Sequence, residues 1–270
     1  MSKLCLACSE SSPLKGKTNK VANWVKKQGR TNALPIDSPH VSSKQFYPES
    51  ATVRIRMKIA GPSTKTRKIL FWAANPKKIS GKILDAPTSY GCYENKGVAN
   101  IDKKGFVNIK VMAPRPYKES NKIWPPHVHY SIANKTGWSK AVYAIAAYPG
   151  HHGKKIGKRY EYEMHCIDHS SDKCTILTPE QVKKNWKKLV VVNALPEPYQ
   201  IDYKLNEQLR VPYKSPESVV KKAAKKIGNK PYVVYCAKPT CIAASKLIGR
   251  LVKNGCYNVY YMPGGMKYWK

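Results

Sequence analysis

Cys236 stands where a nucleophile can be activated. It follows Tyr232-Val-Val-Tyr235, an apolar run that reads as a strand buried on both faces, and it precedes a helix that starts near Ala243. In open α/β sheets, ligands collect at the carboxyl ends of such strands. The segment between, Ala237-Lys238-Pro239-Thr240-Cys241-Ile242, suits a loop whose backbone N–H groups turn inward, backed by a helix N-terminus. A thiol held there is expected to be a thiolate near neutrality, and Lys238 adds positive charge at the rim. Cys241 is either a small loop filler or a resolving thiol for an oxidised or persulfidated Cys236. Cys256 follows a helix end and reads as structural. The second candidate is His127-Val-His129, two imidazoles at i and i+2. On a strand they share one face, so both can reach one metal, although a satisfied pair of strand histidines has the same spacing. Cys5-x-x-Cys8 is half of a zinc site. His151-His152, His165-Cys166-x-x-His169 and Cys174 would have to complete one, and residues so scattered are more often surface or core.

The elements that position these residues come in two grammars. Residues 1–50 read as a flexible basic tail. From Ala51, Val53, Ile55, Met57 and Ile59 alternate with Arg54, Arg56 and Lys58, the period of a half-buried strand. Further strands are expected at Ile69–Trp72, Val107–Val111, Val128–Tyr130 and Val142–Tyr148. Asp102-Lys-Lys-Gly105 marks a turn. With no convincing helix among them, these strands predict an antiparallel β-sandwich over 51–150. Residues 151–176 read as a polar linker. From about 177 the pattern changes. Thr178-Pro-Glu-Gln181 is a helix start, with a helix to Lys188. Leu189–Val192 is a continuous apolar strand. A helix opens at Ser215-Pro216 and stops at Gly228, another ends near Gly255, and Val259–Tyr261 is a last strand. Strands alternating with helices predict an α/β domain with a parallel sheet over 177–270.

The length of 270 residues suits two domains. The longest apolar run, Ala141–Tyr148, is far short of the ~20 residues a bilayer-spanning helix needs. The opening residues turn polar too soon for a secretory signal. The eight Cys therefore read as thiols in a reducing compartment. The formal charge is +33, and 41 of the 49 basic residues are Lys. Lys is a solvated point charge, so any attraction to nucleic acid, membrane or acidic protein is expected to ignore sequence. Tyr outnumbers Phe by 18 to 3, which matches the Lys bias in pointing to AT-rich codons, as in a large DNA virus. The Lys pairs at 183/184, 187/188, 221/222 and 225/226 follow helical spacing and read as solvated helix faces.

Residues 178–270 resemble the rhodanese-like domain. The resemblance rests on Val233-Val-Tyr-Cys236, on Ser245-Lys246 at a helix start, and on Gly255-Cys-Tyr-Asn-Val259 through Pro263-Gly-Gly-Met-Lys-Tyr-Trp269. It implies that Cys236 accepts a sulfane sulfur as a persulfide and passes it on, with the loop Ala237–Ile242 cradling the anion. The Asp and Arg that the family usually carries on its first strand are Asn193-Ala194 here. In the N-terminal half, Phe71-Trp72-Ala-Ala-Asn75, Gly97-Val-Ala-Asn-Ile-Asp102-Lys-Lys-Gly105-Phe-Val107, Pro114-Arg-Pro-Tyr117 and Pro126-His-Val-His129-Tyr resemble the intradiol ring-cleavage dioxygenases. That resemblance implies non-haem iron(III) held by two Tyr and two His, and it maps Tyr117, His127 and His129 onto three of the ligands. Tyr phenolates and His nitrogens suit hard, oxidised iron. The first Tyr position falls near Ile79-Ser80, leaving Tyr90 or Tyr93 as substitutes. Trp124 stands where the family has Arg. The two departures argue against ring cleavage and leave a sandwich that either keeps a metal or has lost it, with loss favoured.

The leading expectation is a sulfurtransferase carrying a persulfide on Cys236, with a sulfur donor and a thiol acceptor as partners, in the cytoplasm or a virion. One alternative is a non-catalytic, strongly basic structural or virion protein that binds nucleic acid or acidic capsid partners. The other is a non-haem iron oxygenase.

Overall fold

The structure is a computed structural model. It describes residues 43–59, 67–76, 78–79, 81–91, 93–119, 121–134, 137–139, 142–148, 175–196, 209–237 and 241–262, with the backbone of short strands between 155 and 166. The tail to residue 42, Cys5 and Cys8, His151, His152, His169, Cys174, Lys204–Gln208, Lys238–Thr240 and Pro263–Trp269 lie outside the described residues. The chain divides into two compact units. Unit 1 holds 1–76, 83–147 and 152–167; unit 2 holds 77–82, 148–151 and 168–270.

Unit 1 contains antiparallel sheets. Strand β1 (Val53–Lys58) buries Val53, Ile55 and Met57 and exposes Arg54, Arg56 and Lys58, as its period-2 pattern requires. It pairs with β4 (Phe106–Val111) on one side and β11 (Tyr162–Cys166) on the other. The second sheet has the order β3 (Lys96–Asn100), β2 (Lys68–Ala73), β7 (His127–Ile132), β8 (Tyr143–Ala146). Strand β2 is almost wholly buried, consistent with its central position. A hairpin joins β5 (Tyr117–Glu119) to β6 (Lys122–Trp124), and β9 (Lys155–Ile156) pairs with β10 (Arg159–Tyr160). The segment that the sequence reads as connection thus supplies strand β11. Its ladder satisfies backbone groups of β1 that water would otherwise have to serve.

Two local devices hold this unit. Asp102 Oδ1 accepts from the N–H groups of Lys104 (2.8 Å) and Phe106 (2.9 Å), closing the expected turn, and Gly105 sits at φ 80°. Asn95 is fully buried. Its Nδ2 donates to the carbonyls of Ala74 and Met112, and its Oδ1 accepts from Met112 N–H, each at 2.9 Å. One side chain therefore ties the ends of β2 and β4 to the start of β3. Helix α1 (Ala86–Tyr90) corrects the expectation of an all-strand region. Asp85 caps it by accepting from Thr88 N–H at 2.8 Å, Pro87 lies in the first turn, and Gly91 at φ 52° ends it. At five residues it is too short for hydrophobic periodicity to reveal.

Unit 2 has a parallel sheet in the order β13 (Leu209–Arg210), β12 (Val190–Asn193), β14 (Tyr232–Tyr235), β15 (Val259–Met262). Helix α2 (Pro179–Asn185) opens with the complete capping box between Thr178 and Gln181 and runs into a 3₁₀ turn at Trp186–Lys188. Helix α3 (Glu217–Ile227) buries Val220, Ala223, Ala224 and Ile227, and Gly228 at φ 56° ends it. Helix α4 (Ala243–Lys253) buries Leu247, Ile248, Leu251 and Val252. The Lys pairs of α2 and its 3₁₀ turn and of α3 are exposed. One core of this unit gathers Val182, Leu189, Val191, Val233, Tyr235, Tyr260 and Met262 with Ile79, which comes from the short segment 77–82.

No helix of the described residues is long and apolar enough to cross a membrane.

Candidate functional site

In unit 1, four side chains turn their polar atoms toward one point. His127 and His129 alternate with Val128 on β7, so their rings share a face. Tyr117 enters from the first position of β5 and Tyr90 from the end of α1. Tyr117 Oη lies 3.3 Å from His127 Nε2, which lies 2.9 Å from His129 Nε2, which lies 3.2 Å from Tyr90 Oη. The two phenols complete the ring, their aromatic planes edge-on with centroids 5.3 Å apart. All four side chains are buried. Trp72 stacks on His129, with ring centroids 5.5 Å apart, and Trp124 stands edge-on to His127.

Burial keeps the cluster neutral. Loss of water lowers both imidazoles below the ordinary histidine value, His129 further because His127 adds to the effect. Burial likewise raises the phenols of Tyr90 and Tyr117, and their proximity adds to the rise at Tyr90. His127 Nδ1 lies 2.6 Å from the Pro125 carbonyl, which can only accept. Nδ1 therefore carries the proton, and the Nε2 lone pair of His127 faces the centre. His129 Nδ1 is buried and meets no hydrogen-bond partner among the described residues.

The arrangement has the dimensions of a metal site. Donors held ~2.0–2.1 Å from one ion, at right to tetrahedral angles, stand ~2.9–3.4 Å apart. Three separations around this ring, 2.9, 3.2 and 3.3 Å, lie in that interval. Two phenols and two imidazoles form a donor set suited to a hard, oxidised cation. Three members, Tyr117, His127 and His129, come from the sequence reading. Of the two substitutes left open for the fourth, the structure brings Tyr90 into the ring. Tyr93, at φ 61°, packs beside Tyr90 with ring centroids 6.0 Å apart. The sequence signal for Tyr90 was the flanking Asp85, Pro87 and Gly91, which set a helical turn ending on it.

In unit 2, Cys236 directly follows β14, and α4 begins seven residues later at Ala243. Cys236 is fully buried, and its thiol donates to the Cys241 carbonyl at 3.4 Å. The described end of the loop thus offers the sulfur an acceptor. The amides of Lys238 and Thr240, on which the expected anion cradle depends, lie outside the described residues, as does Pro239, which has no N–H to offer. Ala237 and Cys241 are partly buried, and Ile242 is 57% exposed. Asn193 ends β12 with its Oδ1 accepting from Leu195 N–H at 2.9 Å, so it serves as a turn acceptor where the family usually has Asp. Cys256 is buried, donates to the Ala224 carbonyl at 3.5 Å, and its thiol is pushed up to about 11 by burial. That is an inert, structural cysteine.

Residues 184–270 match the family model described as Rhodanese-like domain. The C-terminal part of this chain is a rhodanese-like domain. Solved structures similar to it include a protein from Bacillus halodurans, 20% identical, covering 35% of this chain and 69% of its own, with a TM-score of 0.30. A rhodanese-related protein from Thermoplasma volcanium is 19% identical, covering 35% of this chain and 88% of its own, with a TM-score of 0.29. A third, from Helicobacter pylori, is 15% identical over 35% of this chain and 81% of its own, with a TM-score of 0.29. No curated protein matches the chain. A rhodanese-like domain points to sulfurtransferase-type or related chemistry, in which a sulfur donor and a thiol acceptor are the general partners.

Proposed function

We propose that the rhodanese-like domain is a sulfur carrier and that Cys236 is its nucleophile. The observation that carries this reading is the position of Cys236 at the carboxyl end of a central parallel strand, just before a helix, within the matched family region. The Cys236 thiolate attacks the outer sulfur of a sulfane donor such as thiosulfate. The donor's S–S bond breaks, sulfite leaves with its electron pair, and a Cys236 persulfide remains. A nucleophile then removes the outer sulfur and regenerates the thiol. With thiosulfate and excess cyanide supplied together, the wild-type chain should release thiocyanate as cyanide takes the outer sulfur from Cys236. Cys236→Ala should release none, and equal yields from the two proteins would remove the enzyme reading.

A second reading concerns unit 1, and the closed ring of Tyr90, Tyr117, His127 and His129 favours it. We infer that these four residues hold iron(III), with the two antiparallel sheets acting as a dioxygenase-like sandwich around them. Bound there, ferric iron would act as a Lewis acid toward an oxygen-bearing substrate. The chain's own part is to supply two imidazole lone pairs and two phenols, which become phenolates on binding, while Trp72 and Trp124 hold the His rings in place. Titration with ferric iron should produce a visible tyrosinate-to-iron absorption band. Tyr90→Phe should weaken and shift it, and the double variant with Tyr117→Phe should abolish it. A colourless protein after iron loading would rule this reading out.

A further inference from the structure

The buried nucleophile of the rhodanese-like domain has a second thiol at its door. Cys236 has no solvent exposure, whereas Cys241 is partly exposed. A persulfide on Cys236 would therefore be shielded from any bulky acceptor. The Cys236 sulfur lies 3.4 Å from the Cys241 carbonyl oxygen. With standard backbone lengths, that sulfur is at most ~5.8 Å from the Cys241 Cα, against roughly 4–4.5 Å in a formed disulfide. Tyr261 provides an independent marker. It pairs in register with Val234, so it lies on the face of the sheet that Cys236 shares. Burial pushes its phenol up to about 12, and the charges of both Cys236 and Cys241 add to that rise. Both thiols therefore stand within electrostatic range of the same phenol.

On the reading that Cys236 carries a persulfide, we propose that Cys241 discharges it within the chain, releasing sulfide and closing a Cys236–Cys241 disulfide. The Cys241 thiolate attacks the inner sulfur, Sγ of Cys236. The bond between that sulfur and the outer one breaks, and the outer sulfur leaves as hydrosulfide with the electron pair. The step needs no external oxidant, because the persulfide holds the oxidising equivalent that the disulfide keeps. The product is an inactive, oxidised domain. An external dithiol returns it to the two-thiol state and is itself oxidised to a disulfide. The domain is then a sulfide-releasing, self-limiting carrier whose turnover is set by dithiol supply.

The full chain is incubated with thiosulfate, desalted into thiol-free buffer, and followed by intact mass, peptide mapping and sulfide assay. Wild type should end about 2 Da below the reduced chain, with residues 236 and 241 linked and about one sulfide released per chain. Cys241→Ser should stop at a gain of about 32 Da, with no sulfide released and an unchanged melting temperature. If wild type keeps the added sulfur as that variant does, or if both release sulfide equally, the intramolecular step is wrong while the carrier reading stands. If Cys241→Ser gains no sulfur at all, the carrier reading falls and this inference falls with it.

Discussion

At the scale of single residues, the two candidate centres are built on opposite principles. The ring in unit 1 has four neutral donors whose lone pairs and hydroxyls are satisfied mainly by one another, so removing one leaves the rest of a buried polar cluster unmatched. Cys236 is a buried thiol that donates to the Cys241 carbonyl. A third residue shows what loss of water costs an ammonium group. Lys96 starts β3 partly buried, and loss of water lowers its ammonium to about 8. Its folded value is below its unfolded one, so the unfolded chain binds the proton more tightly. The penalty is complete below pH 8, and stability rises as pH climbs from about 8 to about 10.4. Lys96→Met should flatten that rise. At pH 7 it should stabilise the protein by about 1 kcal/mol, a modest gain because the ammonium still meets water. Urea titrations of both proteins at pH 7 and pH 10 measure this, and an unchanged difference between the two pH values would contradict it.

At the scale of elements, most of the chemistry is placed at the ends of strands and of one short helix. Cys236 follows the end of β14, Tyr117 opens β5, and Tyr90 closes α1. Asn95 keeps the ends of β2 and β4 in register with β3 through three buried hydrogen bonds. Asn95→Ala would leave two carbonyls and one N–H buried without that partner. The expected loss is about 3 kcal/mol, from unmet buried groups at ~1–3 kcal/mol each with partial relaxation. It should appear as a lower urea midpoint with an unchanged slope, and a loss below about 1 kcal/mol would show that water reaches these groups. Gly97 is equally constrained. A Cβ there would collide with the Phe46 carbonyl and the Phe71 ring, so the motif glycine is required by close packing.

At the scale of the whole molecule, the division into units does not follow the chain order. Residues 77–82 belong to unit 2, although unit 1 continues on both sides of them. Ile79, 2% exposed, packs in a core with Leu189, Val191, Val233 and Tyr235. Ile79→Ala should therefore destabilise unit 2 by about 2–4 kcal/mol, as a core truncation does. Hydrogen exchange read strand by strand checks this. Protection should fall in β12 and β14 and hold in β2 and β7, and the reverse pattern would refute the assignment. On the iron reading proposed above, Ile79 serves the core of unit 2 and Tyr90 of α1 is the phenol that joins Tyr117.

The sequence by itself was enough to place the parallel α/β elements, the capping box at Thr178, the turn at Asp102, the alternation of β1 and the location of Cys236. Each depends on contacts within a few residues, such as a cap, a turn or a period of two. Only the tertiary structure decided that Tyr90, rather than Tyr93, completes the ring, that β11 pairs with β1, and that Ile79 belongs to unit 2. Those outcomes depend on pairings between positions tens of residues apart. Local periodicity is silent on them, because the free energy that selects them arises only when distant surfaces are buried against each other.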